Sequence, residues 1–298
     1  MADQLIRATA ADGGIRVVGV TTTRLVEVAR SRHELSYVAT AALGRAMTAG
    51  LLLVSSMKKP ESRVNIRIKG NGPLQGLMVD AGLDGTVRGY VEKPQVELPP
   101  NADGKLDVGA AVGKEGYLYV VRDVGYGYPY SSTVNLVSGE IGDDLTHYLA
   151  RSEQTPSALV LGVFVGADVE SAGGLLLQVM PQSARDEALI SQLESRLGTL
   201  TGFTPLLKAG KTLPQIFDEL VGDMGLEILP GSQLVQFQCP CSRDRMLGAL
   251  KLLGTEELAD MIAVDGGAEA TCHFCNEVYH ASSSQLQALI DEMTAESV

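Results

Sequence analysis

The chain has 298 residues, a mass of 31.5 kDa and a formal charge of −12 at pH 7. Hydrophobic residues make up 45% and charged residues 20% of the chain, which excludes the composition of disordered proteins and predicts at least one sizeable core. The acidic charge argues against nucleic-acid binding, because phosphate recognition depends on clustered Lys and Arg. A chain of this length is expected to form about two domains.

The N-terminal segment and the most apolar stretch bear on cellular location. Residues 1–15 lack the cationic start and apolar block of a signal peptide, so we expect no export. Residues 35–57 are interrupted by Arg45 and by several Ser and Thr, and their longest near-apolar run, residues 46–54, is too short to span a bilayer. These features predict a buried helix in a soluble, cytoplasmic protein.

Residues 1–181 have the pattern of a mixed α/β core with a largely antiparallel sheet, an α+β fold. Apolar runs with glycine-rich ends predict strands at residues 15–21, 64–69, 74–81, 87–91, 117–121, 133–137, 159–165 and 175–180. Helical periodicity predicts helices over residues 34–57 and 143–153. Short glycine turns such as Asp84-Gly85 connect successive strands, which favours antiparallel pairing over repeated βαβ units.

The capping residues and apolar periodicity of residues 182–232 predict a helical linker. Ser183 is the candidate N-cap of a first helix, with Asp186 three residues later, and Thr212 and Gln215 form a capping-box pair at the start of a second. Both helices carry an apolar stripe at helical spacing, formed by Leu189, Ile190, Leu193, Leu197 and Leu200 in the first and by Leu213, Ile216, Phe217, Leu220 and Val221 in the second. Short helices with such stripes need an apolar partner, so we expect both to dock on the sheet of residues 1–181.

All four cysteines lie in the last segment, residues 233–298. They form two close pairs, which suit a structural zinc site because Zn²⁺ favours four sulfur ligands in a tetrahedron. The segment is small and contains few hydrophobic residues, so it needs a bound metal or a cross-link to fold stably. Ser242 and Thr255 are candidate N-caps of two helices between the pairs. We therefore predict a C-terminal domain that binds one Zn²⁺ per chain through Cys239, Cys241, Cys272 and Cys275.

Other roles for these thiols compete with metal binding. Unrelated buried thiols are disfavoured because the other 232 residues contain no cysteine, and permanent disulfides are disfavoured by the expected cytoplasmic location. Each pair can nevertheless close into a disulfide where the backbone curls. Oxidation by peroxide would turn metal ligands into disulfide sulfurs and would deprive the small domain of the ion that folds it.

Five short motifs are spread from the long predicted helix to the C-terminal segment. They are residues 41–45 (AALGR), 139–144 (GEIGDD), 152–157 (SEQTPS), 239–242 (CPCS) and 272–276 (CHFCN), the last followed by Tyr279. Together they resemble the motifs of redox-regulated bacterial chaperones of the heat-shock protein 33 family. The two cysteine motifs are the most specific part of this resemblance.

The resemblance implies a reduced, zinc-bound form that is inactive. Oxidation is then expected to form one disulfide between Cys239 and Cys241 and another between Cys272 and Cys275, to release zinc and to unfold the C-terminal domain. The destabilised linker would expose apolar surface that binds unfolding client proteins without ATP, and the oxidised chain is expected to be a homodimer. The resemblance implies a chaperone and no enzymatic activity.

Several weaker signals have a plain structural interpretation. Segment 69–76 resembles a dinucleotide loop, but Pro73 interrupts it and a strand follows, so we predict a hairpin turn. Asp143 and Asp144 are predicted to cap a helix rather than to form an acid/base pair or a metal site. His273 lies between two cysteines, but four sulfurs already complete a tetrahedron.

Tyrosines alternate with glycines in one further segment. Tyr126, Tyr128 and Tyr130 lie near Gly125 and Gly127, which predicts a strand edge or a turn. An apolar surface for clients is the less favoured interpretation of these side chains.

Two other classes of function fit the cysteine pattern less well. The alternative is a constitutive zinc-ribbon protein that binds nucleic acid or another partner, and nucleic-acid binding conflicts with residues 233–298, which carry three basic and ten acidic side chains. A thiol-disulfide oxidoreductase would place its CxxC at a helix N-terminus, whereas Cys272 and Cys275 lie between predicted strands. We expect partners among unfolded proteins, and neither nucleic acid nor membrane.

Overall fold

One long helix, Tyr37–Val54, lies between two sheets and forms the centre of the larger part of the molecule. The computed structural model describes residues 2–200 and 202–296. The chain divides into two compact units, Met1–Gln238 and Cys239–Val298. The predicted core, residues 1–181, and the predicted linker, residues 182–232, both lie within the first unit, and the division into three domains stays a prediction.

The first unit alternates strands and helices along the chain. Its strands are β1 (Gln4–Ala10), β2 (Ile15–Thr21), β3 (Arg63–Gly70), β4 (Gly76–Gly82), β5 (Thr86–Val91), β6 (Gly116–Asp123), β7 (Tyr130–Asn135), β8 (Ser157–Val165), β9 (Val169–Val179), β10 (Glu227–Ile228), β11 (Gln233–Leu234) and β12 (Gln236–Phe237). Its helices are α1 (Thr23–His33), α2 (Tyr37–Val54), α3 (Val108–Val112), α4 (Ile141–Ser152), α5 (Glu187–Gly198), α6 (Phe203–Lys208) and α7 (Leu213–Val221).

The strands pair into two sheets, and the pairing is antiparallel with one short exception. The first sheet has the order β10-β1-β2-β9-β8, with β11 also paired to β1. The second has the order β12-β5-β4-β3-β6-β7, in which β12 runs parallel to β5. The predicted α+β fold with largely antiparallel pairing is confirmed. Segment 69–76 is the predicted hairpin turn, since it joins β3 to β4.

Apolar neighbours surround α2 on nearly every side. Ser36 caps the helix, its hydroxyl accepting a hydrogen bond from the backbone N–H of Ala39 at 3.2 Å. The helix packs against β2, β8 and β9 of the first sheet and against β3, β4 and β5 of the second. Among the described residues it alone has the length and hydropathy of a membrane span, and 89% of it is buried inside the protein. The predicted buried helix is confirmed.

Two N-terminal elements, β1 and α1, are absent from the sequence prediction. α1 buries only Leu25, Val26 and Ala29, a stripe too narrow to stand out from its charged neighbours. Its N-terminus is capped from a distance, because the Asp3 carboxylate at the start of the chain accepts a hydrogen bond from the backbone N–H of Leu25 at 2.8 Å. A cap that comes from another element leaves no local sequence signal.

The linker helices lie on the face of the first sheet that is turned away from α2. Their buried side chains form one cluster with apolar residues of β1, β2 and β9, and the helices contribute Leu193, Phe203, Leu213, Ile216, Phe217, Leu220 and Val221. Gly19 of β2 makes this packing possible, since a Cβ there would lie 2.7 Å from Cε1 of the Phe217 ring. The expectation that the second stripe docks on the sheet is confirmed, and the first stripe joins the same cluster through Leu193.

The predicted helix starts in the linker are partly wrong. Ser183 belongs to a short 3₁₀ turn, Pro181–Ser183, and Asp186 is the N-cap of α5, with its carboxylate accepting a hydrogen bond from a backbone N–H in the first turn at 3.0 Å. The capping box is confirmed, because Gln215 Oε1 accepts a hydrogen bond from the backbone N–H of Thr212 at 2.8 Å. Asp outcompetes Ser here because Pro181 fixes a separate turn around Ser183.

The predicted acidic caps of α4 are also corrected. Its N-cap is Glu140, while Asp143 and Asp144 lie in the first turn, where carboxylates favour the helix dipole. Asp144 is fully buried, and its carboxylate accepts hydrogen bonds from the backbone N–H groups of Val137 and Ser138 at 2.7 and 3.1 Å. This carboxylate fixes the loop before α4 and has a structural role.

The second unit has few elements and a small core. They are α8 (Arg243–Lys251), α9 (Thr255–Asp265), β13 (Gly267–Thr271), β14 (Val278–Ser282) and α10 (Ser283–Glu296). The buried apolar residues are Met246, Leu250, Leu258, Ala281, Leu286 and Leu289. Ser242 is confirmed as the N-cap of α8, but α9 is preceded by Gly254 as N-cap, with Thr255 as its first residue.

Phe217→Ala tests how the linker is held. Removing a buried ring costs about 3–5 kcal/mol where the surroundings do not collapse, so we expect the amides of α7 to exchange hydrogen at least about a hundredfold faster. The amides of α2 should be unaffected. Native-state hydrogen exchange measures both, with Asp218→Ala at an exposed position of α7 as the matched control. Equal exchange of α7 in the two variants would contradict this packing.

Candidate metal centre

The first cysteine pair lies directly before a well-capped helix. Cys239 and Cys241 flank Pro240, and Ser242 then caps α8 by accepting a hydrogen bond from the backbone N–H of Arg245 at 3.3 Å. Proline fixes its own φ and has no N–H to donate, so the backbone between the two sulfurs is restricted. The start of α8 therefore holds both thiols in a short, shaped segment.

The second pair lies in the turn of the β13–β14 hairpin. The hairpin pairs Thr271 with Val278, and the backbone N–H of Cys272 donates to the carbonyl of Glu277 at 2.9 Å. The N–H of Asn276 donates back to the carbonyl of Cys272 at 2.8 Å, and Asn276 has a φ of 58°, a left-handed conformation that Asn tolerates better than most residues. This turn presents Cys272 and Cys275 together.

The two pairs meet in one cluster of sulfur atoms. All four Sγ atoms of Cys239, Cys241, Cys272 and Cys275 lie within 4.8 Å of one another. The Sγ atoms of Cys239 and Cys272 are 3.7 Å apart, and those of Cys241 and Cys275 are 3.3 Å apart. A tetrahedron with Zn–S bonds of about 2.3 Å has S···S edges of about 3.8 Å. The donor set and its spacing therefore fit a single tetrahedral metal ion with soft ligands.

Charge and burial around the sulfurs also favour a cation. Burial raises the pKa of the Cys272 and Cys275 thiols, and the sulfur neighbours of Cys275 raise its pKa further. Four thiolates at these distances would repel one another strongly without a positive charge among them. A divalent cation supplies that charge, so the cluster is suited to hold a metal as thiolates or to hold protons as thiols.

Tyr279 is a partner of the cluster to which the sequence prediction assigned no role beyond the family motif. Its hydroxyl donates a hydrogen bond to Cys241 Sγ at 3.1 Å, and this bond raises the pKa of the phenol. Tyr279 lies on β14, one residue beyond Val278, which starts the strand. The signal in the sequence is positional, because the residue follows the second cysteine pair by four positions.

Other candidate residues from the sequence lie outside this cluster. His273 is exposed and does not belong to the group of metal-competent side chains found in residues 2–200 and 202–296. Asp143 and Asp144 belong to the other unit, on α4. The centre thus consists of four sulfur donors.

Comparison with known proteins identifies the family. A family model described as Hsp33 protein matches residues 3–282. The chain belongs to the heat-shock protein 33 family. A relative from Rippkaea orientalis that is called a 33 kDa chaperonin is 74% identical over 299 aligned residues, which cover 100% of this chain and 99% of the relative. A 33 kDa chaperonin from Synechocystis sp. is 73% identical, with 99% and 98% covered.

The heat-shock protein 33 family also accounts for the fold. The crystal structure of the heat-shock protein 33 homologue from Thermotoga maritima matches with a TM-score of 0.90 and 35% identity, and it covers 99% of this chain and 100% of that one. The likeness extends along the whole chain, which confirms the resemblance expected from the cysteine motifs. Membership of this chaperone family is thereby shown.

Two substitutions test the four-sulfur site and its tyrosine. Loss of a hydrogen bond to a metal ligand costs about 10–100-fold in metal affinity, so Tyr279→Phe should raise the dissociation constant for Co²⁺ by about tenfold or more. Cys275→Ser should abolish the tetrathiolate Co²⁺ spectrum. Absorption titration of the reduced chain measures both.

The matched control for the tyrosine is Tyr130→Phe, because Tyr130 is exposed and lies in the other unit. Its Co²⁺ affinity should equal that of the unaltered chain. Unchanged affinity in Tyr279→Phe would contradict the role of the hydroxyl, and a retained tetrathiolate spectrum in Cys275→Ser would contradict a site built from four sulfurs.

Proposed function

We propose that the chain is a redox-regulated, ATP-independent holdase chaperone that binds unfolding proteins during oxidative stress. In this proposal Cys239, Cys241, Cys272 and Cys275 hold one Zn²⁺ in the reduced, inactive state. Oxidation forms one disulfide between Cys239 and Cys241 and another between Cys272 and Cys275. Family membership, the sulfur cluster and the docked linker helices support the proposal.

The observation that carries it is that the sulfur cluster joins two segments that are distant in the sequence. Close contacts link the two cysteine pairs to each other, with 3.7 Å between the Sγ atoms of Cys239 and Cys272 and 3.3 Å between those of Cys241 and Cys275. Disulfides within each pair would replace these contacts by links between sulfurs that are near in sequence. The start of α8 and the β13–β14 hairpin would then lose the ties that hold them together.

The oxidation step is balanced with hydrogen peroxide as the oxidant. Each pair of thiolates gives up two electrons, a sulfur–sulfur bond forms, and the oxygen–oxygen bond of one peroxide breaks to give water after protonation. Bound Zn²⁺ supplies positive charge and folding energy, about 10–16 kcal/mol for structural sites at neutral pH. Disulfide sulfurs are poor ligands, so oxidation removes that contribution from a unit whose core has six buried apolar residues in the part of the chain that the structure describes.

The chain between α7 and the first cysteine offers little resistance to fraying. β10, β11 and β12 have two residues each, and they pair with β1 and β5 at the edges of the two sheets. β12 ends at Phe237, two residues before Cys239. When the structure beyond Cys239 is lost, these short pairings are the next to open, because each contributes very few hydrogen bonds.

The linker helices are also weak on their own. α5, α6 and α7 have 12, 6 and 9 residues, and helices shorter than about 12–15 residues are marginal in water without tertiary contacts. Of the residues of α5, only Leu193 is buried. We propose that these helices leave the sheet after oxidation.

Release of the helices would uncover two apolar faces at once. One is the helix side of the cluster around Phe217, and the other is the sheet face on β1, β2 and β9, with Ile6, Ala8, Ala10, Ile15, Val17, Leu175, Leu177 and Val179. Exposed patches of this kind bind other apolar surfaces. They are the proposed client surface, and capture by burial of apolar area needs no ATP.

The remaining elements of the proposal concern partners and location. The oxidised chain is proposed to be a homodimer in the cytoplasm, without enzymatic activity, and with neither nucleic acid nor membrane as partner. The net charge of −12 supports this choice of partners, since it disfavours binding to polyanions and keeps complexes with apolar clients soluble. The acidic charge of residues 233–298 likewise argues against a constitutive zinc ribbon that binds nucleic acid.

The switch is tested by treating the reduced chain with hydrogen peroxide. Before treatment we expect one Zn²⁺ and four reactive thiols per chain; afterwards, few thiols, little zinc and two local disulfides identified by peptide mapping. Oxidised protein should suppress light scattering by a heat-unfolded client, and reduced protein should not. Equal suppression in both states, or zinc that stays bound after complete disulfide formation, would contradict the proposal.

A second variant separates helix release from cysteine chemistry. Ile216 is fully buried in α7, so Ile216→Asp should undock the helix while the four cysteines stay reduced. We expect it to suppress client scattering without peroxide and to retain one Zn²⁺ per chain. Asp218→Ala, at an exposed position of the same helix, should remain inactive until oxidised. An inactive Ile216→Asp variant with undocked helices would show that these faces do not bind clients.

A further inference from the structure

β7 forms the outer edge of the second sheet. It pairs with β6 on one side, in register from Tyr117 opposite Asn135 to Arg122 opposite Tyr130. On its other side, no strand within the described residues pairs with it. A strand edge of this kind offers a row of backbone N–H and C=O groups to any extended chain.

The outward backbone groups can be assigned to particular residues. The N–H of Leu136, just beyond β7, donates to the carbonyl of Gly116 at 3.1 Å. Residues of an antiparallel pair alternate between bonding to the partner strand and pointing away from it. The register is unbroken along β7, so the groups that point away belong to Ser131, Thr133 and Asn135.

Pro129 lies directly before β7, but the strand itself lacks the features that usually protect an edge strand. β7 has the sequence YSSTVN, with no charged residue and no proline. The other edges of the two larger sheets differ, because β10, β11 and β12 have two residues each and β8 carries a register shift at Phe164 and Val165. β7 is therefore a full-length edge that is open to pairing.

Exposed apolar side chains flank the edge at both ends. Tyr126, Tyr128 and Tyr130 are 67%, 99% and 57% exposed on the turn before and at the start of β7, and Val137 is 49% exposed after it. Tyrosine is enriched in protein interfaces, and it contacts many kinds of side chain at low entropic cost. The predicted strand edge and turn at these tyrosines are confirmed, and their exposure supplies a contact surface.

We propose that the edge of β7 binds an extended segment of an unfolded client polypeptide, which adds to the second sheet as a further strand. Strand pairing uses backbone groups, so it does not depend on the sequence of the bound segment. Unfolded chains are rich in extended backbone that is not paired within the protein. Such pairing therefore suits a chaperone with varied clients. The proposal rests on the proposed function, since it assumes that unfolded proteins are the ligands. The edge is open in the structure with docked linker helices, so its use does not depend on oxidation.

One strand pairing binds weakly, which is compatible with an inactive reduced state. After oxidation the uncovered apolar faces and the β7 edge belong to the same molecule, and a client held at one site meets the other at high effective concentration. The edge would therefore contribute a first, weak contact, and the uncovered faces would convert it into tight binding.

The test uses the full-length, reduced, zinc-loaded chain and a fluorescent peptide. The probe is a ten-residue peptide of alternating Val and Thr with flanking Lys, and its control has Pro-Pro at the centre, which removes a donor from each edge of the strand. Fluorescence anisotropy gives the affinity. Thr133→Pro removes the central outward N–H of β7, and Thr133→Val is the matched control that keeps it.

We expect Thr133→Pro to weaken binding of the alternating peptide at least tenfold and Thr133→Val to change it less than twofold. The Pro-Pro peptide should bind neither of the two variants. Ser131→Pro should repeat the loss, and unchanged circular dichroism and zinc content establish that the variants are folded. Equal affinity in the two Thr133 variants would overturn the proposal. A β7-dependent dimer of the chain that the peptide does not displace would also overturn it, in favour of a second copy.

The result separates this proposal from the redox switch. Peptide binding is measured in the reduced state alone, whereas the switch is measured as the difference in client protection between reduced and oxidised protein. A chain that switches but shows no β7-dependent binding would contradict only the edge site. A chain that binds the peptide but protects clients equally in both states would contradict only the switch.

Discussion

Four sulfur atoms from two distant stretches of chain meet in the smaller unit, and the proposed function depends on this contact. Among its described residues the buried apolar core has six, and its hairpin and first helix meet at the cysteine cluster. A core of that size supplies little net stability once chain entropy is counted, so the metal that we propose at the four sulfurs would carry a large share of the folding free energy. In the proposed function, chemistry at sulfur would therefore act directly on the fold of this unit, which is the physical basis for a switch.

Stability is graded along the chain in a way that suits such a switch. α2 is enclosed by two sheets and has almost no exposed surface, so the larger unit has a rigid centre. The linker helices cover only one face of the first sheet, and the strands that follow them have two residues each. Loss of order that begins beyond Cys239 can pass through these weak elements and still leave the core folded.

Local patterns in the sequence predicted much of the fold and the identity of the cysteine site. The cysteine pairs, the capping box at Thr212 and the apolar stripe of α7 are all properties of short segments, so they could be recognised without the fold. The features that could not be predicted from the sequence are contacts between distant segments. The cap of α1 by Asp3 and the hydrogen bond from Tyr279 to Cys241 become visible only when the chain is folded.

The central claim is that oxidation of four sulfurs releases helices that lie elsewhere in the sequence. Hydrogen-exchange mass spectrometry on the chain before and after peroxide treatment tests it most directly. The account predicts that amides of residues 239–296 and of α5, α6 and α7 lose protection together, while those of α2 keep it. Full protection of α5 to α7 after both disulfides have formed and the metal has left would contradict the account.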